Sequence, residues 1–302
     1  MVAKRLMVQA TGLGTGCGKS FVVALLCKLF REDGYRVAPF KPLNLTPVTY
    51  VNEDGKEFGY AQALQARASG EEPDCKMNPC TVKPLGDGKF DIFLEGECVR
   101  KNYNPKTQFL KAIFKKILGF RESFEEIKSA IRKCLESLLR EYDIVCIEGS
   151  GPAKLLGLGP LSELLEIANM WTVKIADAPV ILVTDSFDSV IGTLYFLNPE
   201  ERRIVKGVIL NKFRSDEFLR MGIEERYINL GIKRLKSVYQ ERIGKEIVGV
   251  LPYFPELAEL PELDPITPSQ KIPFDMWERV IDKISKKARK YIDMDRVYEI
   301  MG

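Results

Sequence analysis

The run Gly12-Leu13-Gly14-Thr15-Gly16-Cys17-Gly18-Lys19-Ser20 has the composition of a phosphate cradle. Glycines let a backbone turn sharply enough for successive N–H groups to converge on phosphate oxygens, and a helix start adds positive potential at the same place. In such a loop Gly12, Gly14, Thr15, Gly16, Cys17 and Gly18 would offer the backbone. Lys19 would reach the terminal phosphates, and the Ser20 hydroxyl would hold Mg²⁺. The common pattern places its first glycine where Leu13 stands, so this loop is one residue longer and starts from Gly12. The plainer alternative is an ordinary glycine-rich turn; Gly-Lys-Ser at a helix start favours nucleotide binding over it.

Three strand ends carry further candidates. Glu148 closes the apolar run Ile144-Val145-Cys146-Ile147, and a carboxylate there sits where open α/β sheets bind ligands, able to bind Mg²⁺ directly or through water. A surface acid is the alternative. Lys41 follows another short apolar run and could clamp a carboxylate or a γ-phosphate; an exposed strand-end lysine is equally consistent. Asn211, in Asn211-Lys212-Phe213-Arg214, offers a donor and an acceptor that match the edge of an adenine ring, or simply makes a turn. Cys75, Cys80 and Cys98 have neither a histidine nor a second close cysteine pair beside them, which disfavours a structural metal site.

The chain contains no histidine. That excludes Ser-His-Asp and Cys-His catalysis, histidine metal sites and a histidine base. Chemistry must run on lysine, carboxylates, hydroxyls, backbone amides and a bound ion. A length of 302 residues, 45% hydrophobic and 29% charged, is ordinary globular usage and allows one large domain or two smaller ones. The net charge of +3 is too near neutral for a surface that binds nucleic acid or anionic lipid throughout. No apolar stretch approaches the roughly 20 residues of a spanning helix, and no signal-type core opens the chain. Seven cysteines without paired spacing read as reduced thiols. The expectation is a cytoplasmic protein with neither nucleic acid nor membrane as partner.

Positioning such residues calls for a parallel sheet flanked by helices, and the chain has that rhythm. Strands are expected at Arg5 to Ala10, Arg36 to Phe40, Ile144 to Glu148, Val180 to Thr184, Gly207 to Asn211 and Ile247 to Leu251, with helices between the later ones. Helical spacing covers Lys19 to Glu32, Phe58 to Ser69, Pro105 to Leu118, Ser123 to Glu141 and Phe274 to Ile292, and Asp295 to Met301 suggests a last short turn. Cys75 to Val99 reads as irregular, with one or two strands. Pro252 to Pro273 carries six of the 17 prolines and reads as a linker.

Several strings occur in the order seen in cobyric acid synthases: Ala38-Pro39-Phe40-Lys41-Pro42-Leu43-Asn44, Gly59-Tyr60-Ala61-Gln62-Ala63-Leu64-Gln65-Ala66, Met77-Asn78-Pro79 with Lys83-Pro84, Ile147-Glu148-Gly149, Ala168-Asn169-Met170, Ala176-Asp177-Ala178-Pro179-Val180 and Asn211-Lys212-Phe213-Arg214. Over about residues 5 to 254 the sequence therefore resembles the ATP-dependent synthetase domain of the cobyric acid synthase and cobyrinate a,c-diamide synthase family. Its tail Ile292-Asp293-Met294-Asp295-Arg296-Val297 is more similar to the latter enzyme. The resemblance implies a dethiobiotin-synthetase-like P-loop NTPase fold, a mostly parallel, seven-stranded-type sheet with helices on both faces. Two departures stand out. Full-length members continue into a glutaminase domain with a Cys-His-Glu triad, which is absent here, and Leu155-Leu156-Gly157-Leu158-Gly159 replaces a more polar stretch.

The division expected is a synthetase domain over 1–254 and a proline-rich linker with a helical tail over 255–302. The leading reading is an ATP- and Mg²⁺-dependent amide ligase, with Lys19, Lys41 and Glu148 catalytic, Ser20 and Glu148 on the metal, and the loop with Asn211 on the nucleotide. The substrate class implied by resemblance is a corrinoid or related tetrapyrrole acid, amidated through an acyl phosphate. A separate glutaminase subunit, docked on the tail after Pro252, and a homodimer are the expected partners. Two alternatives remain at this point: a dethiobiotin-synthetase-like cyclo-ligase, and a non-enzymatic P-loop ATP-binding switch, whose dimeric relatives carry an extra lysine where this chain reads Gly12-Leu13-Gly14.

Overall fold

Strand β1 (Lys4–Ala10) buries Leu6, Met7, Val8 and Ala10 completely, the pattern of a strand covered on both faces. The computed structural model describes residues 3–12, 14, 16–104, 118–157, 160–265 and 267–302, with side chains throughout except at 118–123 and 160. In order along the chain, the further strands are β2 (Val37–Phe40), β3 (Leu43–Leu45), β4 (Thr49–Val51), β5 (Glu57–Gly59), β6 (Cys80–Gly86), β7 (Lys89–Leu94), β8 (Glu97–Tyr103), β9 (Ile144–Pro152), β10 (Val180–Thr184), β11 (Val205–Phe213) and β12 (Glu246–Pro252). Six of them make one sheet in the order β12-β11-β10-β1-β9-β2, with every pairing parallel. From β1 the chain crosses to β2 on one side, and from β9 it crosses back to β10 on the other. The carboxyl ends around β1 are therefore the topological switch point, where this class of sheet opens a crevice.

Parallel neighbours need crossovers, and helices supply them on both faces. Helix α1 (Lys19–Glu32) starts from Gly18 and ends at Asp33. It packs Val22, Leu25, Leu26, Leu29 and Phe30 against Leu6 and Val8, with Leu64 and Ala68 of helix α2 (Tyr60–Ser69) in the same core. On the opposite face Ile131, Cys134, Leu135 and Leu138 of the helix Leu118–Glu141 join Met7, Val145, Ile147 and Leu182.

Three expectations change. Cys75 to Val99 is not irregular: after a short turn at Cys75–Met77 it forms β6, β7 and most of β8, an antiparallel meander that joins β3 in a second sheet. Its strands are half-exposed, so their hydrophobic alternation is weak and the glycines dominate the sequence signal. The main sheet has six strands among the described residues rather than the seven implied by resemblance. Pro42, which has no N–H to donate, follows β2, and the chain leaves to pair with β6 instead. The helix expected at Ser123 already begins at Leu118; the one expected over Pro105 to Leu118 falls outside the described residues except for its last position.

The tail packs into the first core. Trp277, Ile281, Ile284 and Ala288 of the helix Phe274–Ala288 are buried against α1 and α2, and the Trp277 indole N–H donates to the Leu64 carbonyl at 2.7 Å. The following segment forms the helix Met294–Met301, with Val297 fully buried. Trp277→Ala should cost about 3–5 kcal/mol of stability, read as a lower urea midpoint of one shared transition. A midpoint equal to the wild type would show that residues 274–301 fold apart from the sheet. A cut at Pro255 would remove core, not merely a docking element.

Candidate functional site

The phosphate loop follows β1 and Lys41 follows β2, while Glu148 lies midway along β9 between them, a strand that runs on to Pro152 instead of closing at Glu148 as expected. The loop turns through Gly12, Gly14, Gly16 and Gly18, all with positive φ, a conformation that costs glycine least. At Gly14 the requirement is also steric: a Cβ there would lie 2.0 Å from the Gly151 carbonyl carbon, so the loop touches the end of β9 backbone to backbone. Lys19 extends along this contact and donates to the Gly151 carbonyl at 3.2 Å. Thr15, expected to contribute backbone, lies outside the described residues, as does Leu13.

Glu148 is fully buried. Its Oε1 accepts from the Ser20 hydroxyl and from Lys41 Nζ, both at 2.8 Å, and its Oε2 accepts from Gln65 Nε2 at 2.5 Å. Burial alone would favour the neutral acid, but Lys41 and Lys19 outweigh it and hold the carboxyl below its usual range. Lys41, 3% exposed, lies between Glu148 Oε1 at 2.8 Å and Asp264 Oδ2 at 2.5 Å. Burial works against its charge as well, yet the two carboxylates raise its pKa above the ordinary lysine value. Among the described residues Lys19 has no such pair. Burial and the nearby Lys41 charge push it down from 10.5 to about 8.

Asn211 directs its amide to the loop rather than outward: Nδ2 donates to the Cys17 carbonyl at 2.9 Å, and Lys212 Nζ donates to the Gly16 carbonyl at 2.5 Å. Both residues brace the cradle from β11. Cys17 is buried, with its thiol pKa raised by burial, and it faces the first core. Cys80 belongs to the second core, and no group of three metal-ligating side chains forms among the described residues.

Several side chains carry the site without having been assigned a role by sequence reasoning. Asn78 donates to the Lys41 and Cys80 carbonyls at 2.8 and 3.1 Å and accepts from the Gly59 N–H at 2.9 Å, tying β2, β5 and β6 together behind Lys41. Gln65 links α2 to Glu148, and Asn44 Nδ2 donates to Gln62 Oε1 at 3.0 Å. Asn169 lies in a π-helical turn, Ile167–Trp171. It accepts from the Ser150 N–H at 2.9 Å and donates to the Ser150 and Pro152 carbonyls at 3.0 and 2.7 Å, which fixes the loop beyond Glu148. Their signal was the polar residues inside the quoted strings. Asp264 had none.

The site opens into a cavity of about 1360 Å³. Lys19, Ser20, Lys41, Asn44, Glu148 and Asp264 line its polar end. Val82, Phe90, Ile92, Leu94, Val99 and Tyr103, from the meander, make an apolar wall.

A phosphate loop after the central strand of a parallel sheet, with a carboxylate on the next strand against the loop serine, defines a P-loop nucleotide-binding protein. The profile of the CobQ/CobB/MinD/ParA nucleotide binding domain matches residues 8–264, and the chain belongs to that family. A cobyric acid synthase of Pelotomaculum thermopropionicum is 36% identical over 270 residues, covering 88% of this chain and 46% of that protein. The cobyric acid synthase of Clostridium acetobutylicum is 36% identical over 261 residues, covering 83% and 46%. The chain thus spans about half the length of these relatives. Among solved structures, the MinC:MinD cell division protein complex of Aquifex aeolicus matches 97% of this chain and 95% of its own, at 16% identity and a TM-score of 0.44. Among the described residues no helix is long and apolar enough to cross a membrane.

Proposed function

We propose that this chain is a cobyric-acid-synthase-like synthetase unit that amidates carboxylates of a corrinoid or related tetrapyrrole acid, using ATP and Mg²⁺. The observation that carries this reading is the cavity: a phosphate loop, two buried lysines and a buried carboxylate gather at one end of a space with a broad apolar wall. A nucleotide switch has no use for such a volume beside its phosphates; a large acid with an apolar body does.

The residues fit a magnesium nucleotide. Ser20 Oγ and Glu148 Oε1, 2.8 Å apart, are hard oxygen donors of the kind Mg²⁺ takes, and the ion would supply charge neutralisation across the phosphates. Lys19 would hold the terminal phosphates from the loop side. Lys41, kept charged and aimed by Asn78 behind it, would sit between the acceptor carboxylate and the phosphoryl group passed to it. Phosphoryl transfer depends mainly on such positioning and charge, so no histidine base is required. Ammonia then displaces phosphate from the acyl phosphate to give the amide. A cytoplasmic setting, a separate glutaminase subunit and a homodimer belong to the same proposal.

The nitrogen source supplies the test. A triad glutaminase needs histidine to activate its cysteine, and this chain has none. With Mg²⁺, ATP and a corrinoid polycarboxylic acid, the purified chain should release phosphate and form amide with ammonium chloride at raised pH, but not with glutamine. Phosphate release indifferent to the acid, or glutamine hydrolysis by the chain alone, would overturn the proposal.

A further inference from the structure

One carboxylate in the cavity has no part in the chemistry proposed. Asp264 comes from the proline-rich strap after β12. Its Oδ2 accepts from Lys41 Nζ at 2.5 Å, and its Oδ1 accepts from Asn44 Nδ2 at 3.0 Å. Two donors, one from the end of β2 and one from β3, thus take both oxygens of a single carboxylate, the pattern by which proteins recognise that group. Next to it the Thr46 hydroxyl donates to the Pro265 carbonyl at 3.3 Å. Leu257, Leu260 and Leu263 rest along the first core and line the cavity; the exposed Glu262 lies at its rim, while Glu259 faces solvent. The strap forms one side of the cavity, and its charged attachment there is Asp264, with the Pro265 carbonyl held beside it by Thr46.

Charge explains why that attachment can be released. Lys19 and Lys41 bring two positive charges to the polar end, and Glu148 and Asp264 balance them. A phosphoryl group or a second carboxylate arriving at Lys41 meets Asp264 in a site largely shielded from water, where like charges repel far more than at the surface. Glu148 is fixed by Ser20 and Gln65 from two helices. Among the described residues Asp264 is held by the two donors it would surrender, and a partly exposed strap leads away from it.

We propose that Lys41 and Asn44 form a carboxylate subsite and that Asp264 is its internal occupant, latching the strap over the cavity until an acceptor carboxylate or a transferred phosphoryl group takes its place. The acceptor rests on the reading given under Proposed function; the latch does not. Asp264 competes with the ligand, so its removal tightens acceptor binding by the fraction of time it holds the subsite.

Amide hydrogen exchange over 256–264, in the full chain, tests the latch. In the wild type, exchange there should rise about tenfold when Mg·ATP is added, the ratio expected when a mostly closed state gives way to an open one. Asp264→Asn, which keeps the shape and removes the charge, should exchange at the raised rate without nucleotide and change little on adding it. Slower exchange with Mg·ATP in the wild type, or wild-type exchange in the variant, would overturn the latch. The wild-type comparison stands even if the variant folds poorly. For the subsite the probe is uroporphyrin, an eight-carboxylate porphyrin followed by its own fluorescence, which Asp264→Asn should bind about tenfold more tightly than the wild type. Equal binding, or none to either protein, would overturn the subsite. Failure of the amidation reading would show instead as absent amide product, with the exchange result unchanged.

Discussion

A Lys19→Ala variant is expected to keep its fold and lose turnover by about 10³-fold or more, the scale on which a preorganised charge acts in phosphoryl transfer. Acid-stimulated phosphate release measures this, and wild-type release would remove Lys19 from the mechanism. Its titration adds a second signature. Held near 8 in the fold against 10.5 ordinarily, Lys19 is the case of a cation disfavoured by burial. Below about pH 8 both folded and unfolded chains carry the proton, and the cost of burying that charge is constant. Between about 8 and 10.5 the unfolded chain binds more protons, so this group's contribution to stability rises with pH through that window. A triphosphate laid against Lys19 restores its charge, so nucleotide binding near pH 9 should take up a proton. Calorimetry in buffers of different ionisation enthalpy reads that uptake directly, and Lys19→Ala should abolish it.

Glu148→Gln is expected to lower turnover by about 100-fold and to raise the Mg²⁺ requirement by about tenfold, with a smaller change in nucleotide affinity. The amide keeps the shape but can no longer offer an anionic oxygen beside Ser20, and its NH₂ would face donors from Ser20, Lys41 or Gln65. The variant also leaves Lys41 with Asp264 as its single carboxylate partner. Removing one side of a buried pair commonly costs about 3–5 kcal/mol, so the melting temperature should fall as well. A Mg²⁺ titration identical to the wild type would reduce Glu148 to a structural acid.

The parts of this site that are local in sequence are legible there. Lys19 and Ser20 follow a strand and open a helix, and Lys41 and Glu148 each close an apolar run, so strand ends alone place them at one edge of a parallel sheet. That they converge on one carboxylate is not legible, because it depends on strand order: β9 slots between β1 and β2 although it comes after both in sequence. Asp264 was hidden for a different reason. It is a lone acid in a stretch whose prolines suggest a spacer, and its partners lie more than 200 residues away. The Asn211 amide illustrates a third limit: its position near a strand end was readable, but the bond from its Nδ2 to the carbonyl of Cys17 was not.

The central place of β1 has a consequence for how the chain is made. Its ladder partners are Ile144 to Glu148 on one side and Val180 to Val183 on the other, all far downstream. At synthesis rates of roughly 5–20 residues per second, Leu6, Val8 and the apolar face of α1 leave the ribosome on the order of ten seconds before either partner exists. No neighbouring strand in the main sheet can shelter β1 in that interval. Closing such long loops before any pairing rewards them makes folding slow. The nascent amino-terminal third should therefore keep its apolar surface exposed longest, and dilution from denaturant should return soluble protein best at low concentration.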